Sequence, residues 1–161
     1  MQRDFEFTPE PGGAQRRAVA RIIACGGSHF ALPQHTTLEI VDHPKSIRVP
    51  GAARHAIGLL EWQGRRIPLI DAASLLANEP AHSAAPRYAL VVAMQSTPGA
   101  PIEHGAIALE SLPNSINIDD ATWCSAPEEG RWESMAISCF KQDGHAVPVV
   151  DTAKLFARVS A

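Results

Sequence analysis

An internal repeat without gaps limits what this chain can fold into more than any other feature. The segment Gly64-Arg65-Arg66-Ile67-Pro68-Leu69-Ile70-Asp71-Ala72-Ala73-Ser74-Leu75-Leu76 returns 80 residues later as Gly144-His145-Ala146-Val147-Pro148-Val149-Val150-Asp151-Thr152-Ala153-Lys154-Leu155-Phe156. A glycine, an aliphatic-Pro-aliphatic-aliphatic-Asp run, an alanine and a leucine recur in step. The match extends backward, with Ala56-Ile57 standing in the same relation to Ala136-Ile137. A sequence of this kind belongs to a fold with two similar halves.

Each copy reads as a hairpin followed by a short helix. Ala56 to Leu60 and Ile137 to Phe140 are apolar enough for strands, and Ile67 to Ile70 and Val147 to Val150 return from them. Between lie the turns Trp62-Gln63-Gly64 and Gln142-Asp143-Gly144, where glycine supplies a positive φ. Proline donates no ladder hydrogen bond, so Pro68 and Pro148 are expected at an edge or bulge. Asp71 and Asp151 stand where a helix N-cap belongs, able to accept from exposed backbone N–H groups. Leu75-Leu76 and Leu155-Phe156 should turn inward. Upstream of each copy is another hairpin: Ala18 to Cys25 with His29 to Leu32 around Gly26-Gly27, and Tyr88 to Met94 with Gly105 to Leu109. Thr37 to Val41 fits a short strand or a short helix equally well.

Many short strands in two similar halves point to an all-β protein with short helices, built as two small barrels. Barrel closure protects edges that isolated hairpins would expose. Met1 to Gln15, with Pro9, Pro11 and Gly12-Gly13, is expected to be a flexible tail, and residues 16–161 a single domain. The first barrel would take about residues 34–86 with strands from 88–109, and the second the remaining segments. Ala77 to Pro86 is the expected crossing linker.

The chain has 161 residues, enough to bury about 70% of its unfolded surface. Its formal charge of -3 gives no global basic field, which argues against nucleic acid as a partner. No apolar run approaches the roughly 20 residues that span a bilayer, so no direct membrane insertion is expected. Cys25, Cys124 and Cys139 are odd in number, widely spaced and without CxxC. They read as buried thiols with no disulfide framework, in keeping with a reducing cytoplasm.

In order and spacing, Val49-Pro50-Gly51-Ala52, Ile57-Gly58-Leu59, and Gly64 with Ile67-Pro68-Leu69-Ile70-Asp71 resemble the signature of the CheW-like family. Ala31-Leu32-Pro33, Glu39-Ile40 and the second copy of the repeat fit as well. The resemblance runs from about Ala18 to Ala157. It implies two five-stranded SH3-like barrels, no cofactor and no catalysis. The implied role is that of a cytoplasmic adaptor linking a CheA-type histidine kinase, through its own CheW-like domain, to the helical tip of a chemoreceptor. By position, Thr37, Glu39, Gly58 and Gln63 fall where the family contacts receptor and kinase. One departure stands out. Family members commonly read Asn-Leu-Arg-Gly in the hairpin turn, where this chain has Glu61-Trp62-Gln63-Gly64. Glutamine does not replace a planar, always-charged guanidinium, which suggests a turn reshaped for another partner.

The same residues offer no catalytic constellation. Seven histidines show no HExxH and no close pairing with cysteine, so no metal site is expected. Serine lacks a GxSxG setting, and no phosphate-binding glycine pattern occurs. The competing reading is a small ligand-binding or enzymatic double barrel using Cys139 and His145, six residues apart across a hairpin. A buried cysteine and an exposed turn histidine explain that pair more simply. Trp62 has two readings of equal weight, an aromatic folded back over a barrel end or an anchor for a partner. Trp123 and Trp132 are expected to pack between the lobes. Arg65-Arg66 beside Arg54 and His55 would form either a modest basic face or a solvated edge.

Overall fold

A computed structural model of the chain describes residues 18–25, 27–77, 85–119, 121–124, 132 and 134–157. The expected tail, most of the expected linker and Gly26 lie outside these residues. Twelve strands are described: β1 (Ala18–Cys25), β2 (Ser28–Pro33), β3 (Thr37–Asp42), β4 (Ser46–Ile47), β5 (Ala56–Trp62), β6 (Arg65–Ile70), β7 (Tyr88–Met94), β8 (Glu103–Leu109), β9 (Asn114–Ile118), β10 (Trp123–Cys124), β11 (Ala136–Gln142) and β12 (His145–Val150). Helix α1 (Ala72–Ala77) follows β6, and α2 (Thr152–Ala157) follows β12. The segment left open as strand or helix is strand β3, entered through a 3-10 turn at Gln34–Thr36.

Two six-stranded sheets result, ordered β3-β7-β8-β6-β5-β4 and β10-β11-β12-β2-β1-β9. Read from opposite ends, they are the same sheet made twice, with the hairpins exchanged. The β1–β2 hairpin precedes the first repeat copy in sequence but pairs with the second, through β2 against β12. The β7–β8 hairpin pairs with the first copy, through β8 against β6. Corresponding rungs can be named residue by residue. Gly58, Leu69, Ala106, Val91 and Glu39 lie side by side across the first sheet. Ser138, Val149, Ala31, Ile22 and Asn114 do so across the second.

The repeated apolar run has a physical explanation in this arrangement. From Ile67 to Ile70 and from Val147 to Val150, β6 and β12 are covered on both faces, so these side chains are apolar without alternation. Leu69 packs with Leu60, Ile67, Ala89, Val91 and Ala106 in a core formed by one sheet curling on itself. Val149 does the same with Ala20, Ile22, Ala31, Phe140 and Val147. The next residues, Ile70 and Val150, face the other way. They enter a third core between the sheets, shared with Phe30, Leu32, Leu90, Ile107, Leu155 and Phe156. The exchanged hairpins and this common core tie the two halves to each other.

The prolines depart from expectation, because β6 and β12 are interior strands and the recorded bulges fall elsewhere. Parallel pairing of β6 with β8 starts at Leu69, and that of β12 with β2 is at Val149. Pro68 and Pro148 stand one residue before these pairs, at the start of the parallel ladders. The bulges lie in the partner strands, between Ala56 and Gly58 and between Ala136 and Ser138. Both hairpin loops have two residues, with φ positive at Gln63 and Gly64 and at Asp143 and Gly144. That backbone matches the right-handed twist of the flanking strands.

Both aspartates cap their helices. The Ser74 N–H and Oγ–H donate to the Asp71 carboxylate at 3.4 and 2.7 Å, and the Ala153 N–H donates to Asp151 at 2.9 Å. Their own backbone N–H groups donate to His55 and Met135 carbonyls at 2.9 and 3.0 Å, so the repeat extends to the tie behind each cap. His55 is buried and is not part of a basic face.

Two further expectations fail. Cys124 and Cys139 are not thiols but a disulfide, because β10 lies antiparallel to β11 with these residues directly opposite and their Cα atoms 5.5 Å apart. Cys25 alone of the three is a thiol, buried in the core between the sheets. Trp132 does pack between the lobes, its ring 5.5 Å from that of Phe30, but Trp123 lies on the edge strand β10 and is about half exposed.

Candidate functional site

Three of the residues singled out from the sequence meet at one rim of the first sheet. Trp62 is the last residue of β5 rather than part of the turn, paired with Arg65 across the hairpin. Two positions beyond the buried Leu60 on the same face of the strand, its ring leans toward the curled interior and packs against the first sheet's own core. The indole N–H donates to Glu39 Oε2 at 2.8 Å, and the ring lies 5.0 Å from that of His104, tilted by 45°. These contacts join β5, β3 and β8, so Trp62 closes one end of the curl. Gln63 stands next to it in the turn, exposed, with a φ of 48°.

The other two residues have different surroundings. Thr37, at the start of β3, donates its hydroxyl to the Gln34 carbonyl at 2.7 Å. Gly58 is buried under β4. A Cβ added there would overlap the Ile47 carbonyl, so glycine lets the two-residue edge strand approach β5. Gly58 therefore shapes the surface around Ile47 rather than forming it. Ile47, Val49 and Leu38 are exposed apolar side chains of this half.

His104 was legible only as one histidine among seven, and its role depends on a hairpin pairing that spacing does not reveal. Arg65 and Arg66 are solvated, with Arg66 Nε 3.8 Å from Glu61 Oε1 and both side chains exposed. Such a pair contributes little.

The Cys139–His145 alternative finds no support in the geometry. Cys139 is opposite Pro148, whereas His145 is opposite Gln142 three residues further along β11. The Cys139 sulfur is moreover bound to Cys124. Among the described residues no group of three or more His, Cys, Asp or Glu side chains could hold a metal ion. Among the same residues, no helix is long and apolar enough to cross a membrane.

Doubled, hairpin-exchanged sheets of this kind define a small all-β fold, and the comparisons agree with it. The CheW-like domain profile matches residues 21–160. The chain belongs to the CheW-like domain family. Among solved structures it is similar to the scaffolding protein TtCheW from Thermoanaerobacter tengcongensis. The TM-score is 0.70 at 13% identity, covering 86% of this chain and 92% of that one. At that identity the likeness concerns the fold, and the two six-stranded sheets resemble its double SH3-like architecture. No curated protein matches the sequence.

Proposed function

We propose that this protein is a non-catalytic adaptor of a bacterial chemosensory system, coupling a CheA-type histidine kinase to a chemoreceptor in the cytoplasm. The observation that carries the reading is membership of the CheW-like family over residues 21–160. The likeness to a scaffolding protein supports it. Each curled sheet is read as an SH3-like barrel of five principal strands, with the two-residue β4 or β10 as an added edge.

The partner surface is assigned to the Glu39–Trp62–Gln63 rim, together with Thr37 and the β4 segment that Gly58 seats. An exposed carboxylate oriented by an indole N–H and an exposed glutamine amide offer directional hydrogen bonding. Ile47 and Val49 offer apolar area nearby in the same half. This combination suits a protein partner, where a small apolar centre and a polar rim are usual. The kinase is expected to bind through its own CheW-like domain, barrel against barrel.

The test is reconstitution of the purified chain with the CheW-like domain of its cognate kinase and with a chemoreceptor tip. Co-elution with the kinase domain is expected. Loss of co-elution on reversing the charge at Glu39 would place the interface at this rim. Failure of the wild-type chain to associate with either component removes the adaptor reading.

A further inference from the structure

The exchanged symmetry allows the two rims to be compared position by position. In the first sheet the space is occupied by Trp62, held between Glu39 on β3 and His104 on β8. In the second, the position corresponding to Trp62 is Gln142, the last residue of β11. It lies two beyond Phe140, as Trp62 lies two beyond Leu60. His104 lies two residues before Ala106, and its counterpart is His29, two residues before Ala31. Glu39 lies on the rung through Val91 and Ala106, and its counterpart is Asn114, on the rung through Ile22 and Ala31.

Gln142, His29 and Asn114 all line one cavity of about 550 Å³, which also has walls from His145, Asp143 and Trp132. That size is within the usual range for small-molecule sites, roughly 300–1,000 Å³. The second rim thus keeps the histidine that packs on a ring and a side-chain oxygen able to accept from one. The position equivalent to Trp62 carries no ring, being Gln142, although Trp132 walls the cavity from the core side.

We propose that the second rim binds an indole ring with a free N–H, seated against His29 and donating to the Asn114 side-chain oxygen as Trp62 does to Glu39. This goes beyond the adaptor reading, since the site lies on the other sheet and uses none of the residues assigned to the partner surface. A free indole compound and a tryptophan side chain in a peptide share the required chemistry.

The full chain is titrated with indole and with N-acetyltryptophanamide by calorimetry, while the imidazole proton signals of His29 and His145 are followed. Saturable binding with movement of the His29 signal is expected. Tighter binding of indole assigns a free ligand, and tighter binding of N-acetyltryptophanamide assigns a peptide side chain. N-methylindole, which cannot donate, should bind about fivefold more weakly than indole, the worth of one hydrogen bond. Gln142→Trp supplies the chain's own ring and should abolish binding. If that variant does not fold, His29→Ala replaces it and should weaken binding. No saturable binding of either probe, binding that persists in folded Gln142→Trp, or unchanged affinity in His29→Ala overturns the proposal.

Discussion

The Trp62 indole N–H donates to Glu39 Oε2 at 2.8 Å, across a sheet in which their strands are separated by three others. The edge strand β3 meets the penultimate strand β5 at this bond, which makes Trp62 a structural residue as well as a candidate contact. A fully buried aromatic truncated to alanine costs roughly 3–5 kcal/mol, and a half-buried one less. Trp62→Ala should therefore destabilise by about 2 kcal/mol, read from denaturant midpoints at constant m-value. Trp62→Phe should recover most of the loss, having no N–H but retaining the ring. If alanine leaves the midpoint unchanged, the ring does not close the sheet.

The two caps offer an internal comparison, since each aspartate occupies the same place in its copy. Asp71→Ala and Asp151→Ala should each cost about 1 kcal/mol, the usual worth of an N-cap. Asp71 should be the more costly, because its removal also leaves the buried Ser74 hydroxyl without the carboxylate it donates to. Equal midpoints for the variants and the parent protein would exclude capping by either side chain.

Gly58 and Ser138 occupy equivalent rungs, but only Gly58 has a neighbouring backbone in the path of a Cβ. Gly58→Ala should cost about 1–3 kcal/mol, as overpacking usually does, and should displace β4. Ser138→Ala should be nearly silent. Amide exchange at Ile47 would report the displacement directly. Unchanged exchange in folded Gly58→Ala would show that β4 does not depend on the glycine.

In the second sheet the edge is tied covalently instead. Cys124 and Cys139 stand where Ile47 and Leu59 pair in the first sheet, and the disulfide closes a loop with a sequence separation of 15. A loop of that length corresponds to about 3 kcal/mol in the chain-entropy account. Unfolding midpoints should fall on addition of a dithiol reductant, and Cys124→Ser with Cys139→Ser should remove that sensitivity. A midpoint indifferent to reductant in the parent protein would contradict the bond's contribution.

Much of this architecture was legible because the repeat states the same local problem twice. Ile67-Pro68-Leu69-Ile70 and Val147-Pro148-Val149-Val150 read as strands and an aspartate after each as a helix start, whereas the interior place of these strands, against the edge or bulge expected from their prolines, was not legible. The β7–β8 hairpin followed from Tyr88 to Met94 and Gly105 to Leu109 in the same way. The illegible features depend on pairings between segments distant in sequence. Cys124 meets Cys139 only because a two-residue strand lies on β11, and two residues carry no pattern. Trp62 meets His104 only because β8 joins the copy that precedes it, an exchange that an offset of 80 between copies does not encode. Gly58 read as a contact residue by position, whereas its burial under Ile47 depends on where β4 lies.

If this chain works by binding another CheW-like domain, titration calorimetry against that domain of the cognate histidine kinase should detect it. A saturable interaction is expected, of micromolar strength as small transient interfaces often give, and weakened by charge reversal at Glu39. Absence of heat and of any complex at high concentration, with both proteins folded, would contradict the account.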